Sequence, residues 1–462
     1  MNKEFKDIPV FKTFIHLGNY FLYDTYSNRL LIITKDHYLE IDELKNVGLS
    51  TYLSRHKQSL PYNDIIWLLQ KGFLKSNFID EIEHPETKYV HDIVNRCVGD
   101  ITLQVTKNCN FSCRYCSYAN NNGISRNHNN QYMSWDVAKH AVDYLQRNSM
   151  DMSSVGIAFY GGEPFLNFEL ITKTVEYAES QFYTKKINYL ITTNGSIITN
   201  EIIDFLAKYK FQMTISFDGP KDIQNNHRKF YESGVGTYDI VYDNIQKLRK
   251  RQESYFSENV LFLPVFFEDE DESIITQYFG ALNINEDRLH KVVADLKGID
   301  YSLDRHNLMS IHEIENIEVN ARKQKEYVDI FSDKRLLPRK WHHNGPCIPT
   351  AQRLFINTEG KLYVCEKSME EDYLSIGNIY NGINIDKIIT FMNIGELTEN
   401  ECKSCWAMRF CKICLLFCND VERKSITKEK KLLSCQQIKK DVLSFLKQYV
   451  ANHIKEQGEH NV

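Results

Sequence analysis

No stretch of the 462 residues approaches about 18 consecutive apolar side chains, and no apolar core follows the charged Lys3, Glu4, Lys6 and Asp7. Neither a membrane span nor a secretory signal is expected, and a cytoplasmic protein is. Excess charge is missing too. The 56 basic and 61 acidic residues leave a formal charge of −5, which provides no global basic field for nucleic acid and no acidic tail. Internal repeats and low-complexity tracts are absent, apart from an Asn-rich loop at 120–130. The chain is far too long for a disulfide-stapled miniature, and at roughly 100–200 residues per domain it should hold two to four domains.

Aromatic residues are abundant at 12%, and twelve cysteines are distributed very unevenly. Cys97 stands alone and reads as a small buried residue. Cys109, Cys113 and Cys116 fall together, and the other eight lie between Cys347 and Cys435. Core cysteines would be scattered, and disulfides are disfavoured in a reducing compartment. The short spacings suit thiolate ligation of zinc or iron–sulfur clusters.

Residues 1–95 read as a small α+β module of winged-helix type. Phe14 to Tyr23 and Leu30–Ile33 form two strands around the polar Asp24–Asn28 break. Tyr38–Leu44 and Ile65–Leu69 have helical periodicity, Gly72 serves as a C-cap, and Phe73-Leu74 reads as a returning strand. Such a module is either a structural cap or a peptide-docking surface with an exposed strand edge.

From residue 96 to 300 strands and helices alternate. Strands are expected at Ile101–Val105, Val155–Phe159, Ile187–Thr192, Gln212–Ser216, Val260–Phe266 and Lys291–Ala294. Helices are expected at Trp135–Leu145 (capped by Ser134), Phe168–Ser180, Asn200–Lys208, Tyr238–Arg249 and Glu272–Phe279. About six βα units make a partial TIM-like barrel whose ligand end lies at the strands' carboxyl ends. A charged helical bridge at 301–340, a cysteine-rich domain at 341–436 with strands at Arg353–Ile356 and Lys361–Val364, and a C-terminal helix at 437–462 complete the division. Val442–His453 supplies that helix's amphipathic pattern.

Cys109-x3-Cys113-x2-Cys116 directly follows a strand. Three thiolates leave one corner of a cubane cluster open to a substrate or cofactor, whereas zinc would need a fourth ligand. His128 reads as a surface-loop residue. The motif, with Tyr115 before its last cysteine, resembles the signature of the radical S-adenosylmethionine (SAM) enzymes. The resemblance spans 101–300. It implies an open iron that binds the cofactor and reductive cleavage to a 5′-deoxyadenosyl radical that abstracts hydrogen.

Gly161-Gly162-Glu163-Pro164 looks like the family's loop for the cofactor ammonium group, with Glu163 as the nearby anion. Asn194 in Thr192-Thr193-Asn194-Gly195, and Ser216 and Asp218 in Ser216-Phe217-Asp218-Gly219-Pro220, stand at strand ends. By resemblance Ser216 contacts the ribose, while Asp218 either contacts ligand or caps a turn. Arg228 holds the place of the family's carboxylate-binding arginine, a role its planar fork suits, with a surface arginine as the alternative. The preceding His-Asp pair of relatives is replaced here by Gln224 and Asn225. Gly234-x-Gly236-Thr237-Tyr238, with Asn244, also resembles the family.

Eight further cysteines match the number needed for two [4Fe–4S] clusters, and paired zinc sites fit the count as well. Their order resembles the SPASM extension of radical SAM peptide modifiers. That comparison assigns Cys402, Cys405, Cys411 and Cys435 to an outer auxiliary cluster, and Cys347 and Cys365 to an inner one. Cys414 and Cys418 straddle the family position of the remaining inner ligand, so one or both close it. Glu366 occupies a station used as a base in some relatives, with a surface acid as the alternative.

The whole resembles maturases of ribosomally made peptides, above all those forming sactipeptide- and ranthipeptide-type thioethers between a cysteine sulfur and a carbon. This implies SAM and three [4Fe–4S] clusters, a Cys-containing precursor whose leader adds a strand to the N-terminal module, and a flavodoxin- or ferredoxin-like electron donor. Carbon–carbon crosslinking and epimerisation are alternatives. Sulfatase maturation is a weaker one, since it has little need of the N-terminal module. A non-catalytic iron–sulfur carrier would not need the cofactor loops, and nucleic-acid modification lacks a basic patch near the cysteines.

Overall fold

The computed structural model describes residues 8–56, 60–76, 79–116, 128–267, 270–294, 339–343, 347–351 and 353–459. These fall into two compact units, each assembled from separate stretches of chain. Nearly all of the expected bridge at 301–340 and most of the Asn-rich loop lie outside the described residues. No helix among the described residues is long and apolar enough to cross a membrane.

One unit comprises 1–87, 301–346 and 391–462. It opens on a three-stranded antiparallel meander, Phe11–His16, Asn19–Asp24 and Arg29–Ile33, where the sequence pattern indicated two strands. The additional turn is Leu17-Gly18, with φ of 46° and 75°, the left-handed pair that a two-residue hairpin requires. Helices Lys35–Val47, Leu49–Arg55 and Leu60–Gln70 follow. Ile41, Leu44, Tyr52 and Ile65 pack with Phe11 and Leu22 in one core.

Phe73-Leu74 is not a returning strand. The Phe73 N–H bonds back to the Leu68 carbonyl at 2.9 Å, and the Leu74 N–H donates to Asp24 Oδ1 at 2.9 Å. A buried carboxylate thus replaces a ladder partner, and Asp24 also accepts from the Ser27 N–H at 2.8 Å.

The meander is tied to the distal part of the same unit. Thr25 Oγ1 donates to the Trp406 carbonyl at 3.1 Å, and Arg409 Nε donates to the Thr25 carbonyl at 2.8 Å. Ile79 and Ile82 pack against Cys402 and Met408. The final helix spans Lys428–Glu459. It begins well before the amphipathic Val442–His453 pattern and carries Cys435.

The other unit comprises 88–300 and 347–390. Its nine-stranded sheet runs in the order Val260–Phe262, Gln212–Ile215, Lys186–Thr193, Ser154–Gly161, Asp100–Thr106, Leu354–Ile356, Lys361–Tyr363, Gly377–Asn378, Gly382–Ile383. The first six strands are parallel and the rest antiparallel. Helices Trp135–Asn148, Phe168–Gln181, Asn200–Lys208 and Tyr238–Arg251 connect parallel strands at the expected places. Ser134 caps the first, accepting from the Val137 N–H.

The expected single strand Val260–Phe266 is broken. Val265–Phe267 leaves the sheet and pairs in parallel with Val292–Ala294, because Pro264 has no N–H with which to continue a ladder. The parallel pairing of Leu354–Ile356 with Ile101–Leu103 joins the C-terminal extension to the first strand of this mixed α/β fold. Helix Glu272–Ala281 follows the broken strand. The parallel strands bury Ile101, Leu103, Val105, Ile157, Phe159 and Ile191, as strands covered on both faces do. Their polar termini are thereby gathered at one end of the sheet, the usual ligand end of such folds.

Asp24→Ala should destabilise the protein by about 1–3 kcal/mol, since the buried Leu74 N–H loses its acceptor. Urea unfolding of parent and variant measures this.

Candidate active site

The cysteine loop begins where strand Asp100–Thr106 ends. Thr106 Oγ1 accepts from the Asn108 N–H at 3.0 Å. The next loop docks directly onto its backbone: the Gly162 N–H donates to the Thr106 carbonyl at 3.0 Å, and the Glu163 N–H to the Asn108 carbonyl at 2.9 Å. A Cβ at position 162 would lie 2.1 Å from the Asn108 carbonyl oxygen and 3.0 Å from Cys109 Cβ, and one at 161 would meet the Thr106 carbonyl oxygen at 2.1 Å. These glycines therefore serve the close approach of two backbones.

Glu163, fully buried, clamps the loops together. Its Oε1 accepts from the Phe165 N–H at 3.0 Å and Thr193 Oγ1 at 2.8 Å, and its Oε2 from the Asn194 N–H at 2.7 Å. Burial raises its pKa to about 7 against these three donors. Pro164 starts the short 3-10 turn Pro164–Asn167. Asn194 Nδ2 donates to Asn110 Oδ1 at 2.9 Å and faces Cys109 Sγ at 3.8 Å. Ser216 is half-buried, and its N–H donates to the Thr193 carbonyl at 2.8 Å.

Phe111–Cys113 pairs antiparallel with Arg228–Phe230, placing Cys113 opposite Arg228. The Arg228 fork is turned onto Asp218, with Nε to Oδ2 at 2.9 Å and Nη2 to Oδ1 at 3.0 Å. Arg228 Nη1 faces Cys113 Sγ at 3.9 Å. The alternative of a surface arginine is thus corrected, because Arg228 is buried. Asp218 takes Nε and Nη2, the two nitrogens of one edge of the guanidinium. Tyr115 donates to Asp218 Oδ2 at 2.8 Å, and its ring lies 5.1 Å below the guanidinium. Asp218 is more than a turn cap.

His227 was not singled out in the sequence, although it directly precedes Arg228. Its buried ring bridges two carboxylates, with Nδ1 3.2 Å from Asp218 Oδ2 and Nε2 2.9 Å from Glu270 Oε1. Burial opposes its protonation, but Asp218 and Glu270 outweigh burial and raise the imidazole pKa. Burial likewise opposes ionisation of Asp218, while Arg228 and His227 hold its carboxyl below the usual range. Arg228 and His227 thus face two carboxylates.

Gln224 and Asn225 are structural replacements for the expected pair. Gln224 Oε1 accepts from the Asp218 N–H at 2.8 Å, and its Nε2 donates to Thr237 Oγ1 at 3.0 Å. Asn225 Oδ1 accepts from the Tyr238 N–H at 2.9 Å.

Burial pushes the Cys109 thiol up to about 12 and the Cys113 thiol well above its ordinary value. The Phe111 N–H, 3.4 Å from Cys109 Sγ, and the N–H groups of Asn194 and Arg228 are the kind of donors that metal-bound thiolates accept. The residues therefore fit an iron–sulfur group on this loop. His128 is no mere surface residue: its Nε2 lies 3.6 Å from Cys116 Sγ, and its Nδ1 3.0 Å from the Lys107 carbonyl.

Glu366 forms an ion pair with Arg353, and its Oε2 is buried without a partner among the described residues. The Glu370 side chain, 3% exposed, pairs with Lys107 at 2.9 Å and accepts from Gln104 Nε2 at 2.6 Å. Its place in the acidic run Glu370-Glu371-Asp372 concealed it in the sequence.

In the unit that contains 391–462, Cys402, Cys405, Cys411 and Cys435 line one cavity of about 300 Å³, together with His343 and Lys431. Burial raises the Cys405, Cys411 and Cys435 thiols, and Cys435 reaches about 11. Four thiols around one buried space fit a thiolate-ligated cluster. Cys418 is buried, and its thiol donates to the Cys414 carbonyl at 3.6 Å. Cys347, which is exposed, and Cys365 belong to the sheet-bearing unit. Among the described residues, no three His, Cys, Asp or Glu side chains converge closely enough to hold one metal ion, whereas each thiolate of a cubane cluster binds a different iron.

Residues 103–276 match the sequence profile of the Radical SAM superfamily. The chain is 40% identical over 321 residues to the uncharacterized protein MJ0907 of Methanocaldococcus jannaschii, covering 67% of this chain and 95% of that one. The chain belongs to the radical SAM superfamily. It is a catalytic radical SAM enzyme. It is also 24% identical over 382 residues to the radical SAM cyclopropyl synthase TigE of Paramaledivibacter caminithermalis, covering 76% of each. Its fold is similar to that of native anSMEcpe with bound AdoMet, with a TM-score of 0.54 and 21% identity over 76% of this chain and 99% of that one.

Gly162→Ala should drive the Asn108–Cys109 backbone aside and cost the first cluster, about four irons per chain, with far-UV circular dichroism retained. Iron analysis after anaerobic reconstitution checks this.

The raised pKa of His227 makes its contribution to stability complete below about pH 6.5 and lost as pH rises through the folded-state value. The destabilisation caused by His227→Asn should therefore be larger at pH 6 than at pH 9, as read from urea midpoints.

Proposed function

We propose that this radical SAM enzyme is a peptide maturase that joins a cysteine sulfur to a carbon of another residue in a ribosomally made precursor. Cys109, Cys113 and Cys116 hold the cluster that binds SAM. Cys402, Cys405, Cys411 and Cys435 hold an outer auxiliary cluster, and Cys347 and Cys365 contribute to an inner one. When bound, the first cluster and SAM supply a 5′-deoxyadenosyl radical, the species that removes a hydrogen atom from carbon.

The observation that carries this reading is the four-cysteine cavity of the C-terminal extension. Cofactor cleavage alone needs no second thiolate site, whereas forming a thioether from a thiol and a C–H bond releases a further electron that needs an acceptor. A cavity of about 300 Å³ is also far larger than a single ion requires, since about 10–15 Å³ of such space already admits a water.

The chain's own groups act on placement. Arg228, fixed by Asp218, presents Nη1 for the cofactor carboxylate, the Ser216 hydroxyl is available to the ribose, and Glu163 holds the two receiving loops at fixed separation. Glu366 keeps one buried carboxylate oxygen for substrate. The meander's outer strand Arg29–Ile33, with Ile32 exposed, offers an edge on which a leader peptide can add a strand.

A second reading is carbon–carbon bond formation, favoured by the similarity to a cyclopropyl synthase.

The test is incubation of reconstituted enzyme with a Cys-rich precursor encoded beside it. A thioether removes two hydrogens, about 2 Da per crosslink, and leaves the cysteine resistant to alkylation after reduction. A loss of about 2 Da with every cysteine still alkylatable establishes the carbon–carbon reading. An unchanged mass with one solvent deuterium gained in D₂O establishes epimerisation.

A further inference from the structure

Thiolate ligation leaves one feature of the four-cysteine cavity unexplained. His343 lines it and is 2% exposed, and neither of its ring nitrogens has a hydrogen-bond partner among the described residues. Burying an imidazole in this way is unfavourable unless something in the filled cavity satisfies it. The ring is held there deliberately by its surroundings. His342 packs against it at 4.2 Å between centroids. His342 is itself fixed at both nitrogens: Nδ1 lies 2.9 Å from the His343 carbonyl, and Nε2 accepts from the Gly395 N–H at 2.8 Å. A Cβ on residue 395 would stand 2.5 Å from that Nε2, so glycine is what permits the contact.

Lys431 lines the same cavity and is fully buried. Its Nζ donates to the Ile394 carbonyl at 2.7 Å and lies 3.8 Å from Cys402 Sγ. Thr398 Oγ1 is 3.2 Å from the same sulfur. The cavity therefore combines four potential thiolates with a buried cation and an uncommitted imidazole.

We propose that His343 donates a ring N–H to a sulfur of the outer auxiliary cluster and, with Lys431, raises that cluster's reduction potential. The inference rests on the auxiliary-cluster reading made under Proposed function. A neutral imidazole always carries one N–H, so no change of protonation is required. Reduction adds a negative charge to the cluster, so a donor N–H and a nearby ammonium stabilise the reduced form more than the oxidised one. The low dielectric of a buried site strengthens both effects. His343 and Lys431 are positioning residues here, acting on electron transfer through the cluster and not on substrate.

The test is an EPR-monitored redox titration of the reconstituted full-length holoprotein, with the outer cluster identified as the signal lost in Cys405→Ala. His343→Phe retains the ring's bulk and removes the donor, whereas His343→Gln retains an N–H. The Phe variant should show an outer-cluster reduction constant lower by about tenfold, about 59 mV for one electron, with Gln close to the parent and the other clusters unmoved. Equal outer-cluster potentials in all three proteins would overturn the proposal.

Should His343→Phe fail to load the cluster, His343→Gln and His343→Met decide. A lower potential, or a lost cluster, in Met alone supports the N–H donor, and identical behaviour of the two overturns it. A parent protein with about four irons and no signal removed by Cys405→Ala would overturn the auxiliary-cluster reading and this proposal with it. That outcome is distinct from clusters that are present with unchanged potentials.

Discussion

Asp218 carries a completely buried carboxylate that accepts hydrogen bonds from the Tyr115 hydroxyl, the Nε and Nη2 of Arg228 and the Val265 N–H, with His227 Nδ1 beside it. These donors come from the cysteine loop, the short strand that pairs with it and the start of the strand that leaves the main sheet. An ionised carboxylate is stable in such a place only while they converge on it. Removing the partner of a buried charge costs about 3–5 kcal/mol. Beyond the buried Phe111, whose ring packs edge-on against Phe230, the cysteine loop exposes Ser112 and Arg114. Its conformation therefore depends on Tyr115 meeting Asp218 and on the ladder that sets Cys113 opposite Arg228.

Charge balance follows from the same geometry. Arg228 and His227, whose imidazole pKa is raised, face the buried Asp218 and the partly exposed Glu270. The guanidinium's remaining nitrogen is left toward Cys113. Around Cys109 the solution differs. Two glycines let the following loop touch the cysteine loop's backbone, and Glu163 locks that loop to Asn194. One side of the site is thus held by charge and the other by close backbone packing.

The alternation of strands and helices from residue 100 to 294 was readable because parallel strands buried on both faces are continuous apolar runs and their connecting helices are amphipathic. The departures have local causes. Pro264 divided one strand, the left-handed Leu17-Gly18 pair made an additional turn, and the Asp24 carboxylate captured the N–H that a Phe73-Leu74 strand would have used. The C-terminal helix was underestimated because its first turns, from Lys428, are dominated by lysine and glutamate, which mask the buried positions Lys431 and Ser434. Lys431 points inward against the usual behaviour of lysine.

Cysteine spacing by itself determined the inventory of candidate ligands, because short spacings keep sulfurs near one another, whereas the grouping of Cys402, Cys405 and Cys411 with the distant Cys435 was implied only by the resemblance to the SPASM extension. Strand-end motifs likewise indicated which loops meet at the ligand end of the sheet. Only the tertiary structure decided that the Arg228 fork closes on Asp218, that His227 bridges to Glu270, that Glu370 pairs with Lys107 and that His343 lines the four-cysteine cavity. Each of these contacts joins residues whose partners are chosen by packing and by the need to satisfy buried charge. That requirement arises only once the chain is folded, and it leaves no periodicity or spacing in the sequence.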